Sequence, residues 1–149
     1  MTEIRFYHLQ TLTLEQALPR LLLKAYEGGK RILVKLPDAQ AVESLNTHLW
    51  TFHPNYFLPH GSKKDGYAER QPIWLTDTDE NPNAAETLIL TNGADSPLID
   101  KVSLCCDIFS GFDAAQVSAA RARWKTYQSN GHALTYWQQT EQGGWVQKG

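Results

Sequence analysis

The chain has 149 residues, 42% hydrophobic and 20% charged, a balance that suits one soluble domain with a single core. Fourteen Lys and Arg against sixteen Asp and Glu give a formal charge of −2. That excludes a surface built throughout to hold nucleic-acid phosphates, so an anionic partner has to meet a local patch.

The longest apolar runs, such as Leu21-Leu22-Leu23, fall far short of the roughly 18 residues of a membrane span. The opening residues lack a basic region followed by a long apolar core, so no secretory signal is expected and the expected location is cytoplasmic. The two cysteines are neighbours, Cys105 and Cys106, which fits a reducing compartment.

Ile4 to Leu9 has the apolar and aromatic content of a strand. Thr13, three residues before Gln16, is a capping box for a helix in which Leu14, Leu18, Leu21, Leu22 and Ala25 fall at helical spacing. Gly28-Gly29 ends it. Pro19 conflicts with that pattern, and predicts either a kink or a later start.

Lys30 to Leu36 reads as a buried parallel strand. Asp38 then caps a second helix carrying Val42, Leu45 and Leu49 on one face and ending near Trp50. Phe57-Leu58 is a very short strand candidate, and His60 to Gln71 reads as a mobile surface loop. Ile73–Leu75, Thr87–Leu90 and Ser103–Phe109 are further strands. Asp113 starts a last helix with Val117, Ala120, Trp124 and Tyr127 on one face; Asn130-Gly131 stops it, and a strand follows from Ala133 to Trp137. A loose polar tail is expected from about residue 140. Strands alternating with helices point to an α/β fold.

Catalytic and cofactor signatures are missing. Gly28-Gly29-Lys30-Arg31 lacks the spacing and hydroxyl of a phosphate loop, and His8 to Thr13, where a dinucleotide fingerprint would fall, has no glycine. His8, His48, His53, His60 and His132 show no compact ligand spacing, so no metal site is expected. Cys105 and Cys106 read as buried structural thiols, and Asp77, Asp79 and Glu80 as an exposed turn. No paired carboxylates lie in an apolar setting, so nothing argues for an enzyme.

One constellation stands out. Arg121, Arg123 and Lys125 cluster on the last helix; Arg121 and Lys125, four apart, share a face and flank Trp124. An earlier aromatic group, Trp50, Phe52, Tyr56 and Phe57, ends the second helix. An apolar floor with a cationic rim suits a peptide end that is both hydrophobic and acidic. It equally suits single-stranded nucleic acid, whose bases stack on aromatics while phosphates meet the cations. Composition does not choose between them.

Several stretches together resemble the chi subunit of the bacterial DNA polymerase III holoenzyme. They are Phe6-Tyr7, Gly29-Lys30-Arg31-Ile32-Leu33-Val34, Leu49-Trp50, Phe57-Leu58-Pro59-His60-Gly61, Gln71-Pro72-Ile73, and Ala120-Arg121-Ala122-Arg123-Trp124-Lys125-Thr126-Tyr127 followed by Gly131. The resemblance implies a single three-layer α/β domain over residues 1–149, with a mostly parallel, mixed sheet flanked by helices. Its topology would be Rossmann-like without a phosphate-binding loop, with no catalytic site and no cofactor.

The resemblance also implies two partners. One is the psi subunit of the clamp loader; the other is the acidic, phenylalanine-ended C-terminal tail of single-stranded DNA-binding protein. By position, Arg121 and Lys125 would pair with tail carboxylates, Trp124 would line the pocket, Trp50 and Phe57 would add its wall, and Thr135 would be a weaker member. Gln128 stands where some members carry a further basic residue. For psi, an apolar edge around Leu104 to Phe112 is one candidate surface, and burial in the sheet explains those residues equally well.

Overall fold

The computed structural model describes residues 2–52 and 58–149. Strand β1 (Glu3–Leu9) sends Ile4, Phe6 and His8 to one side and Tyr7 and Leu9 to the other, and apolar side chains on both sides call for cover on both faces. The chain continues through α1 (Leu14–Glu27), β2 (Ile32–Lys35), α2 (Ala39–Thr51), β3 (His60–Ser62), β4 (Ile73–Thr76) and β5 (Thr87–Thr91). It ends with β6 (Leu104–Ser110), α3 (Ala114–Ser129), β7 (Ala133–Gln139) and β8 (Trp145–Gln147).

The strands form one sheet in the order β3-β4-β2-β5-β6-β1-β7-β8. Every pairing is parallel except that of β7 with β8. Helices α1 and α2 cover one face, burying Leu18, Leu22, Leu45 and Leu49. Helix α3, with a 3-10 turn at Pro97–Lys101, covers the other through Ala120, Tyr127 and Ile99. This is the expected three-layer α/β sandwich with a mixed sheet.

Helix α1 starts at Leu14 with the Thr13–Gln16 capping box in place, and it continues through Pro19 to Glu27. The late start expected as one outcome of Pro19 is absent, and the carbonyl that Pro19 frees is accounted for. Proline has no N–H for the carbonyl one turn back, that of Glu15. His48 on α2 donates its Nε2–H to that oxygen at 2.6 Å, so the freed acceptor ties the two helices together.

Two further expectations need correction. Leu58 is buried outside any strand, and Phe57 lies outside the described residues; the strand here is His60–Ser62, within the stretch read as a loop. Polar contacts hold it. The His60 ring sits between the carbonyls of Leu58 and Asn46, and Asp65 accepts from the Ser62 backbone. The tail expected to be loose instead forms β8, antiparallel to β7, with Trp145 edge-on to Tyr7 at 4.9 Å.

The turn after β1 explains the missing phosphate loop. In dinucleotide-binding folds the N–H groups here cradle a pyrophosphate at the helix N-terminus. In this chain the buried Gln139 side chain takes that place: its Oε1 accepts from the N–H groups of Gln10, Thr11 and Leu12 at 3.2, 2.9 and 2.9 Å. Gln139→Leu removes an acceptor shared by three donors, and urea denaturation should show a loss of about 1–3 kcal/mol.

Candidate partner-binding face

Helix α3 is built from small and polar residues with one buried row. Asp113 caps it, accepting from Ala115 N–H at 2.9 Å. Ala120 lets the helix approach the sheet closely, while Trp124 and Tyr127 pack on Phe6 of β1, with ring centroids 5.3 and 5.9 Å away and both contacts edge-to-face.

The anchor is Arg123. Its Nε and Nη2 donate to the two carboxylate oxygens of Asp107 on β6 at 2.8 and 2.9 Å. The Arg123 side chain is 15% exposed and that of Asp107 2%. Burial pushes the Asp107 carboxyl above its ordinary range while the guanidinium pulls the other way. A fork–fork pair fixes the rotation of a helix as well as its position. With Arg123 turned inward, Arg121 and Lys125 are left exposed on either side of Trp124, and neither makes an ion pair among the described residues.

Beneath Arg121 lies a polar pair that sequence reasoning missed. Tyr136 Oη and His8 Nδ1 are 2.6 Å apart. Burial and the Arg121 charge hold the His8 imidazole below its ordinary pKa; burial raises the Tyr136 phenol, with Arg121 opposing. Ser110-Gly111 closes the crevice beyond: the Gly111 N–H donates to the Leu9 carbonyl at 2.6 Å, and any side chain at Gly111 would collide with that carbonyl and the His8 ring. Strand alternation carried the missed signal, since His8 is two residues from Phe6 and Tyr136 two from Leu134.

The six residues expected to form one pocket do not all meet. Arg121, Trp124 and Lys125 are neighbours on α3; Trp124 packs on Tyr136, and the Arg121 charge acts on His8 and Tyr136. Thr135 alternates to the opposite face, where its Oγ1 accepts from the Trp137 indole at 3.0 Å. Trp50 ends α2 on that opposite face too, 57% exposed and packed against His60 of β3 with ring centroids 4.9 Å apart. Strand β3 is five positions from β1, roughly 24 Å at about 4.8 Å per strand. Phe57 lies outside the described residues. One pocket walled by both Trp50 and Trp124 is therefore ruled out by the sheet order.

Other candidates resolve as structural groups. Cys105 and Cys106 are buried on the central strand, and burial pushes the Cys106 thiol up to about 12, far from the reactive range. Asp79 pairs with Lys35 at 2.6 Å, and Glu80 accepts from Trp74 and Thr76. Phe109 of the Leu104–Phe112 edge is buried, whereas Phe112 is exposed. Among the described residues no group of three His, Cys, Asp or Glu could hold a metal ion, and no helix is long and apolar enough to cross a membrane.

Residues 1–135 match the family model described as DNA polymerase III chi subunit, HolC. The chain belongs to the chi-subunit family of DNA polymerase III. A protein of Rickettsia prowazekii (strain Madrid E), described as a probable DNA polymerase III subunit chi, is 33% identical over 109 residues; these span 73% of this chain and 66% of that protein. The chain thus spans just under two thirds of the length of the curated relative it matches.

In this chi-family chain the exposed cations depend on the inward turn of Arg123. Arg123→Ala leaves the Asp107 carboxylate buried without its partner, and urea denaturation should show a loss of about 3–5 kcal/mol. A loss below about 1 kcal/mol would mean that α3 is positioned by its aromatic contacts alone.

Proposed function

We propose that this chain is a non-catalytic accessory subunit of the DNA polymerase III holoenzyme, acting in the cytoplasm. It links the clamp loader, through the psi subunit, to single-stranded DNA-binding protein by gripping the acidic C-terminal tail of that protein. The observation that carries the reading is the α3 face, where Arg121 and Lys125 flank the half-buried Trp124 without acidic partners among the described residues.

The chemistry of that face fits an acidic peptide ending in an aromatic residue. The cations receive carboxylates, and the edge of Trp124 above Phe6 and Tyr136 offers an apolar, preorganised surface for a terminal ring. Arg121, Lys125 and Trp124 form the proposed tail site, with Tyr136 and His8 beneath them. Trp50 and Thr135, on the opposite face, are not part of it. Non-catalytic character is supported by Gln139 filling the would-be phosphate cradle and by the buried, unreactive cysteines.

Exposed ion pairs contribute about 0–1 kcal/mol each, so affinity should be modest and weakened by salt. Calorimetric titration with a short acidic peptide ending in Pro-Phe, at two salt concentrations, tests the reading. The wild type should bind saturably, and Arg121→Ala/Lys125→Ala should bind about tenfold or more weakly without loss of folding. Failure of the folded wild type to bind, together with tight binding of bare single-stranded DNA at a log-log salt slope of about −0.7 per phosphate contact, would replace this reading with direct nucleic-acid binding.

A further inference from the structure

Face cover is uneven on the side of α1 and α2. Helix α1 packs on α2, β2 and β6, while Trp137 of β7 and Trp145 of β8 pack on Tyr7 of β1. A cleft of about 590 Å3 remains between α1 and the terminal hairpin, within the roughly 300–1,000 Å3 typical of small-ligand sites. Its floor is aliphatic, with the partly exposed Leu104 backed by the buried Ile89 and Ile108. Its far wall is aromatic: Tyr7 is edge-on to Trp145 at 4.9 Å and stacked with Trp137 at 6.5 Å. The Trp137 indole N–H is already satisfied by Thr135 Oγ1, so an apolar ligand can lie against that ring without orphaning a donor.

The rim is cationic. Lys24, Lys30 and Arg5 line the cleft with Glu3 as the only acid, and Glu3 is consumed by Arg5 at 2.7 Å. Lys24 and Lys30 make no ion pair among the described residues. On a chain of net charge −2 this is a local positive edge above an apolar, aromatic-walled cavity.

We propose that this cleft is a binding site for a small amphipathic organic anion, an apolar or aromatic body bearing one carboxylate or sulfonate. The body lies between the aliphatic floor and the Trp137–Trp145 wall, and the anionic end meets Lys24 and Lys30. The site is on the opposite face of the sheet from Arg121 and Lys125, so it stands or falls independently of the tail-binding reading.

The full chain is titrated with 8-anilinonaphthalene-1-sulfonate, following dye fluorescence and the 1H–15N spectrum. The expected result is saturation at one dye per chain, with shifts of the Trp137 and Trp145 indole signals. Lys24→Glu/Lys30→Glu, at two exposed positions that leave folding intact, should weaken binding about tenfold, and uncharged N-phenyl-1-naphthylamine should bind more weakly than the sulfonate. Arg121→Ala/Lys125→Ala should bind the dye as the wild type does. Absence of saturable binding, unmoved indole signals, indifference to the lysine reversals, or loss of binding in the α3 variant would each overturn the proposal.

Discussion

The Arg123–Asp107 pair is the constraint on which the presentation of α3 depends. Aromatic contacts of Trp124 and Tyr127 with Phe6 hold the helix against the sheet, but apolar packing tolerates small rotations and slides. A bidentate, buried ion pair does not, because a shift of an ångström leaves a charge desolvated without its hydrogen bonds. Such a pair adds little net stability compared with an apolar replacement, and its value lies in fixing one geometry. Once Arg123 is committed inward, helical spacing sends Arg121 and Lys125 outward around Trp124.

The sheet separates this molecule into two chemically different sides. At the carboxyl end of β1, where doubly wound folds commonly bind nucleotides, the Gly111 N–H donates to the Leu9 carbonyl and the Gln139 side chain occupies the N–H groups of Gln10, Thr11 and Leu12. What remains on the α3 side is an exposed helix face with cations over an aromatic layer. On the other side, α1 and α2 leave the terminal hairpin to cover the sheet edge, and Trp50 protrudes at the far end of α2. A sheet eight strands wide keeps these two sides apart.

Local signals in the sequence were read well where physics is local. The Thr13–Gln16 capping box, the Asp38 and Asp113 caps and the buried strands at Ile32, Ile73, Thr87 and Leu104 all stand where propensity and periodicity place them. Non-local compensation was invisible: nothing around Pro19 announces that His48 satisfies the carbonyl it frees, and nothing around Arg123 names Asp107. Strand β3 has no signal in the sequence because polar contacts of His60 and Asp65, with no apolar period, hold it. In the site, α3 was legible since Arg121, Trp124 and Lys125 are helix neighbours. Trp50 and Thr135 stand apart from them for reasons that only the fold supplies, the sheet order and the phase of β7.

Chemical-shift mapping tests the central claim most directly, that an acidic, aromatic-ended peptide is received on the α3 face alone. In a 1H–15N titration of the full chain with such a peptide, the Trp124 indole signal and the backbone signals of Arg121, Lys125 and Tyr136 should move together and saturate. The Trp50 indole should stay in place. Movement of the Trp50 indole with a silent α3 would contradict the account and put the peptide on the opposite side of the sheet.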